Sequence, residues 1–403
     1  MTPTVPFDRD ELAGRLARVR DAAARDGLDL LVVTDPKNIF YLTGYDAYSF
    51  YVPQALLVPC GGASGATGGR TAAPVVLVLR AMDVQGARVT TWLSDESLVG
   101  YPESCINDGP RGAHPFTVVA ATVAERGFDR TRVGVELDGT LTPRELEILR
   151  AAFPASSFVS CDGLVEWVRA VKTPAEIAVI TEAAAISDAA MEVAREAIRP
   201  GAREADVAAD IYAALVRGHG DLIGSTPAQP YMAMGDNTNN PHLRWREGTY
   251  GPGPVYVELG GHRHNYAAGL SRSFHLGEPS PGYRRVEGVV TDGMDAALEA
   301  MRVGARAQDV EAAWRKVVEP FGITKAARIG YSIGISFPKT IWMEGTISLA
   351  PGDETVLVDG HVLHLMVAVW LDDLGYALSE TVHVTDAGPR PLSALPRELV
   401  VTS

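Results

Sequence analysis

The sequence predicts an α/β domain over residues 1–165, followed by an α+β domain over residues 166–403 built from two related halves. Three observations predict it. The first part alternates amphipathic helices with short buried strands. The second part opens on Thr173-Pro-Ala-Glu176, a capping box with proline at the first helical position. Within that part, residues 199–207 (R-P-G-A-R-E-A-D-V) and 302–310 (R-V-G-A-R-A-Q-D-V) match at six of nine positions at an offset of 103.

Asp8 or Asp10 caps a first helix with Leu12, Leu16 and Val19 on one face, and Gly27 ends it. Leu28 to Thr34 follows as a buried strand, with a turn at Asp35-Pro36. Residues 61–73 are rich in Gly, Ser and Ala and predict a flexible surface loop before a strand at Val75 to Leu79. Arg132 to Glu136 reads as a further strand and Thr142 to Ala152 as a helix. In the second part, the helix opened by Thr173 carries Ile177, Ile180, Ala184 and Met191 on one side. Each copy of the repeat joins two amphipathic helices. The later pair is marked by Val286, Val290, Met294 and Leu298, then by Val310, Trp314 and Val317. Strands follow each copy, which predicts a pseudo-two-fold with a site between the halves.

Two strands alternate clearly. In Pro254 to Gly261, Val255, Val257 and Leu259 face one side and Tyr256 and Glu258 the other. In His361 to Trp370, Leu363, Leu365, Val367 and Val369 oppose His364, Met366, Ala368 and Trp370. A face with Glu, His, Met and Trp is either a solvated sheet face or a cleft.

Composition narrows the function. Lys and Arg total 36 against 50 Asp and Glu, a net charge of −14, so nucleic acid and anionic membrane are poor partners. No basic, apolar leader is visible and no apolar run is long enough to span a bilayer, so a cytoplasmic protein is expected. Cys60, Cys105 and Cys161 are too scattered for a disulfide framework or a zinc cluster and read as inert thiols.

The second domain resembles the pita-bread fold of the creatinase, prolidase, aminopeptidase P and methionine aminopeptidase family. The segments that carry the resemblance are Arg169 to Ile177, Pro241-His242, Val255 to Gly261, Leu270 to Phe274, Arg328 to Gly334 and Glu380 to Thr385. Asn38 to Gly44 is similar to the creatinase-type N-terminal domain. The departures concern the metal site. The two Asp, one His and two Glu that hold two metal ions in the family's peptidases fall at Glu258, Gly269, Tyr331, Met366 and Ser379, the last beside Glu380. Glycine and methionine do not replace hard oxygen ligands, so a metal-free member with no cofactor is expected. Creatinase's own substrate residues are also missing, falling at Val52, near Trp342, Ser271 and Met366; its pocket histidine is retained at His242. The closest resemblance is to the ectoine hydrolase branch, carried by Leu42 to Tyr51, Val99 to Pro102, Pro241 to Trp245 and Gly330 to Pro338. Residues Ala267 to Gly269 and Lys339 to Ile341 depart from that branch.

The resemblance implies hydrolysis of a cyclic amidine C–N bond in a small zwitterionic substrate, ectoine going to N-acetyl-diaminobutyrate. An amidinium carbon is already electrophilic, which removes the need for a Lewis acid. Glu258 then pairs with the amidinium and either activates water or attacks directly. His242 shuttles the proton, and Tyr331 donates to the tetrahedral centre. Phe50, Tyr51, Trp342 and Trp370 are candidates to hold the cation, and Arg244 the carboxylate. Glu344, His364 and Glu380 fall where the branch has the same residue types. His364 and Glu380 either orient the catalytic pair or are satisfied polar groups of the wall. Arg272 reads as structural. The family also implies a homodimer in which the loop Tyr45 to Gln54, with its four aromatics, caps the partner's site; ordinary core packing is the other reading of that loop. A different amidine, guanidine or cyclic amide substrate stays open, as do a dipeptidase and a non-catalytic binding protein.

Overall fold

The structure is a computed structural model that describes residues 6–61, 73–107, 113–127, 132–336 and 342–402. The expected loop at 61–73, apart from its two end residues, and the segment Lys339 to Ile341 lie outside the described residues. The chain divides into two compact units, Met1–Val168 and Arg169–Ser403.

The first unit holds a six-stranded sheet of order β4-β3-β2-β1-β5-β6. Its strands are β1 (Leu30–Val33), β2 (Ala55–Pro59), β3 (Val76–Arg80), β4 (Leu98–Tyr101), β5 (Arg132–Val135) and β6 (Ser157–Ser160). The helix Arg9–Arg25 begins where Asp8 accepts a 2.8 Å hydrogen bond from the Glu11 amide. A capping box between Thr142 and Glu145 starts the helix Pro143–Ala152. All three cysteines are free and buried, and burial pushes the Cys60 thiol up to about 12.

The second unit is a nine-stranded sheet. Its strands are β7 (Tyr231–Met234), β8 (Gly253–Arg263), β9 (Tyr266–Leu276), β10 (Gly330–Ile333), β11 (Met343–Ser348), β12 (Val362–Met366), and β15 (Ser379–Thr385), with the short pair β13 (Val369–Trp370) and β14 (Gly375–Tyr376) set apart. The order is β11-β10-β12-β15-β9-β8-β7, with β16 (Gly388–Pro391) on β15 and β17 (Val400–Thr402) on β9. Two helix pairs pack on one face. Pro174–Ala197 and Glu204–Arg217 cover Val255, Val257, Leu259 and Leu270; Pro281–Ala300 and Ala307–Val318 cover Leu363, Leu365 and Val382. Burying these aliphatic rows is the main force holding helices to sheet.

The sequence repeat is a structural repeat. Each copy turns at a glycine with positive φ, Gly201 (82°) and Gly304 (88°). Gly201 donates to Tyr250 O at 2.8 Å and Gly304 to Leu357 O at 2.8 Å. Tyr250 returns a bond to Ala202 O (2.9 Å) and Leu357 to Ala305 O (2.8 Å). Each helix joint is thus stitched to the chain just before a central strand, once per half. The halves meet where Ser271 of β9 pairs with Ser379 of β15.

One expected strand is interrupted. His361 to Trp370 does not run straight: β12 ends at Met366, and Val369–Trp370 pairs with β14 instead. Facing is kept, since Leu363, Leu365, Val367 and Val369 stay on the helix side. At the break the carbonyls of Met366 and Ala368 both accept from the ammonium of Lys325.

Candidate active site

Strand alternation and register build one wall opposite the helices. Cross-strand partners line up in a single row: Tyr231 of β7, Glu258 of β8, Ser271 of β9, Ser379 of β15 and Met366 of β12. At the seam between the halves, the Ser271 and Ser379 hydroxyls bond at 2.8 Å. The next row contains the glycine pair Gly260 and Gly269, then Thr381, His364 and Tyr331.

Glu258 is 4% exposed, and burial raises its carboxyl to about 8 despite the opposing pull of Lys325. Lys325, from the loop before β10, donates to Met366 O at 3.0 Å and Ala368 O at 2.6 Å. Burial lowers its ammonium to about 8, and the Glu258 charge opposes that shift. Half-buried Tyr231, the cross-strand partner of Glu258, packs with Leu243, Met366, Trp370 and Tyr256, the Tyr256 and Trp370 rings 5.3 Å apart.

Tyr331, Trp342 and His364 form a second polar group. Trp342 Nε1 lies 3.0 Å from the Tyr331 hydroxyl and 3.3 Å from His364 Nδ1. An indole N–H only donates, so Nδ1 accepts and the proton sits on Nε2, which bonds Ser379 Oγ at 2.7 Å. The Tyr331 hydroxyl then donates to Nδ1 at 3.1 Å. Burial lowers His364 to about 3, so the ring is neutral. The indole lies over the paired glycines. A Cβ on Gly260 would sit 2.6 Å from Trp342 Cζ3, and one on Gly269 would sit 3.0 Å from His364 Cε1. Gly260 and Gly269 therefore make room for two rings. Gly260→Ala is expected to cost about 1–3 kcal/mol by overpacking and to lower activity by displacing Trp342; thermal unfolding and rate assays together check this.

The structure does not bring every sequence candidate to this wall. His242 is exposed; its ring meets Tyr231 edge-on at 5.9 Å, so one aromatic ring separates it from Glu258. Arg244 is exposed and acts on Tyr212 of the outer helices, whereas the cation acting on Glu258 is Lys325. Glu380 alternates with Ser379 and Thr381 and so lies on the helix side of β15, paired with Arg272 at 2.7 Å. Glu344 is held by the Lys172 ammonium and accepts from the Ile335 amide at 3.1 Å. Phe50 and Tyr51 belong to the first unit. There Tyr48 and Phe50 meet at 4.8 Å, the Tyr51 hydroxyl accepts from Arg80 at 3.3 Å, and Tyr48 and Tyr51 are exposed while Tyr45 is buried against Ser49.

Sequence reasoning missed two groups. Lys325 sits in a loop without periodicity. His262 lies on the same face of β8 as Glu258; it is 1% exposed, its Nδ1 bonds Gly260 O at 2.9 Å, and its Nε2 is buried with no hydrogen-bond partner among the described residues. Burial lowers it to about 4.

Among the described residues, no three His, Cys, Asp or Glu side chains converge as metal ligands. The central row offers one carboxylate, raised by burial and faced by an ammonium. That donor set does not fit a pair of hard divalent ions.

Comparison with known proteins adds relatives to this geometry. Residues 178–386 match the model of metallopeptidase family M24, and residues 15–171 that of the creatinase/prolidase N-terminal domain. The chain is 37% identical to "Uncharacterized hydrolase/peptidase y4tM" of Sinorhizobium fredii, over 98% of each chain. It is 33% identical to "Ectoine hydrolase" of Halomonas elongata, over 99% of each. The crystal structure of dipeptidase PepE from Mycobacterium ulcerans has a TM-score of 0.81 at 25% identity, covering 98% of this chain and 99% of that one.

Proposed function

Because the chain belongs to metallopeptidase family M24, with a creatinase/prolidase N-terminal domain and the two-domain pita-bread fold, it is a member of a hydrolase family, and we propose that it opens a cyclic amidine without a metal. The observation that carries this reading is buried Glu258, the one carboxylate of the central row among the described residues, beside Tyr231 on a wall whose donors do not suit two metal ions. The likeness to ectoine hydrolase supports the amidine class and ectoine as its first member.

In this reading the amidinium lies against Glu258 with Tyr231, Tyr256 and Trp370 around it. A carboxyl raised to about 8 is a base suited to near-neutral pH. Glu258 takes a proton from water as the water oxygen bonds to the amidine carbon. The Tyr331 hydroxyl turns from His364 to the new oxygen and lowers the cost of the tetrahedral centre. The ring C–N bond then breaks as the hydroxyl oxygen becomes the amide carbonyl, and the departing nitrogen receives both the proton that Glu258 took and the hydroxyl proton, leaving as an ammonium group. His242, behind Tyr231, relays protons between this wall and solvent. Cytoplasmic location and a homodimer belong to the same proposal.

Incubation of chelator-treated protein with ectoine is expected to give a product heavier by one water, by mass spectrometry, at the rate of untreated protein. Activity lost on chelation and restored by a divalent metal would reinstate metallohydrolase chemistry. No product would move the substrate to another amidine or amide.

A further inference from the structure

Lys325 is the group the sequence did not assign, and its surroundings are specific. Two of its three N–H donors are fixed by Met366 O and Ala368 O, carbonyls that the break after β12 turns toward it. The third is uncommitted among the described residues. Lys325 and Glu258 each feel the other's charge, yet no direct ion pair joins them. The two carbonyls belong to Met366, which stands in the same row as Glu258, and to Ala368, which packs with Tyr231, Tyr256 and Trp370, so the ammonium is fixed at the end of the wall that carries the carboxylate. Arg244, the sequence candidate for an anion partner, is exposed, and its charge acts on Tyr212.

We propose that Lys325 is the anchor for the substrate's carboxylate, placed so that Glu258 and Lys325 together read the two charges of an amidinium carboxylate. The inference rests on the amidine reading for the cationic end only. A small carboxylate of another class would use the same ammonium. Two carbonyls hold the side chain in place, so little side-chain freedom is lost on binding.

The readout is a ratio: affinity for a carboxylate ligand over its uncharged counterpart, by calorimetry. Two pairs are used, ectoine against the same cyclic amidine without its carboxylate, and alanyl-proline against its amide. Wild type is expected to favour the carboxylate in the first pair by roughly 10- to 100-fold, the range of a charge-assisted contact. Lys325→Met should bring that ratio close to one while leaving affinity for the uncharged amidine within about threefold. Lys325→Gln keeps donors for the two carbonyls and loses only the charge, so it separates a misfolded loop from a lost anchor. A ratio retained in Lys325→Gln overturns the assignment, as does equal loss for both members of a pair. Discrimination by wild type in the alanyl-proline pair alone overturns the amidine reading and leaves the lysine judged by that pair. Discrimination in neither pair overturns the anchor.

Discussion

Replacing Glu258 by glutamine is expected to reduce turnover by at least about 10³-fold, the scale of losing a positioned base together with its charge. The amide keeps the shape of the side chain, so the circular dichroism spectrum should match wild type. The wild-type pH profile carries the companion expectation. The carboxyl must be ionised to accept a proton, and burial raises it to about 8. Activity should therefore rise with pH, close to tenfold per unit below that value, and level above it. Stability runs the other way. A carboxyl whose folded-state value lies above its ordinary 4.5 stabilises the fold fully below pH 4.5, and that contribution is lost as pH rises through about 8. Glu258→Gln should thus be the more stable protein at neutral and alkaline pH, by on the order of 1–3 kcal/mol. The gap should close as pH falls toward 4.5. Chemical denaturation at several pH values, alongside initial rates, checks both signs. A variant that kept activity, or whose stability relative to wild type did not change with pH, would remove Glu258 from the chemistry.

Replacing Arg272 by methionine is expected to be the most damaging single change to the fold of the second unit. The guanidinium bonds Glu380 at 2.7 Å, Pro396 O at 2.8 Å, and both Ser271 O and Ser379 O at 2.9 Å. It also reaches Leu395 O at 3.2 Å. These contacts tie the two halves of the sheet to each other and to the C-terminal segment, on the helix side. Removing the cation leaves Glu380 buried without its counter-charge, which costs about 3–5 kcal/mol. For a domain of this size that corresponds to a fall in melting temperature of roughly 10 °C. Differential scanning calorimetry reads it directly; a shift of one or two degrees would show that the pair is dispensable. Arg272→Met with Glu380→Leu should recover part of the loss, since the unpaired charge is gone.

The fold was legible because local signals agreed with it. The capping box at Thr173, the helix start at Thr142, the alternation around Glu258 and the repeat with its two glycines each specify a feature that needs no distant partner. The site was legible where one strand decided the facing. Glu258 opposes Val257 and Leu259 within β8, and Tyr331 and His364 lie side by side across β10 and β12. What alternation within one strand does not give is register between strands. Ser379 and Glu380 are adjacent in sequence, yet only the pairing of Ser379 with Ser271 shows which of them faces the wall. Lys325 depends on an ending rather than a pattern, the interruption of β12 that frees two carbonyls. The chain has only five lysines in a pool of 36 basic residues, which is the one sequence cue that could have drawn attention to it. Arg244 sits in a segment that carries the resemblance, and the structure places it exposed, with its charge acting on Tyr212.

The row Tyr231, Glu258, Ser271, Ser379, Met366 has a consequence for how such a protein changes over time. Each member comes from a different strand and projects away from the helix-facing core. The alternate positions pack against the helices, so a change of side chain in the row leaves that packing in place. A new chemistry then needs neither a new backbone nor a coordinated rearrangement. It needs single replacements at seats a strand spacing apart, about 5 Å. The scaffold behaves like a keyboard whose keys can be exchanged while its frame stays fixed. Relatives that share the frame are for that reason poor guides to the tune, and the identity of the side chain in each seat is the better one.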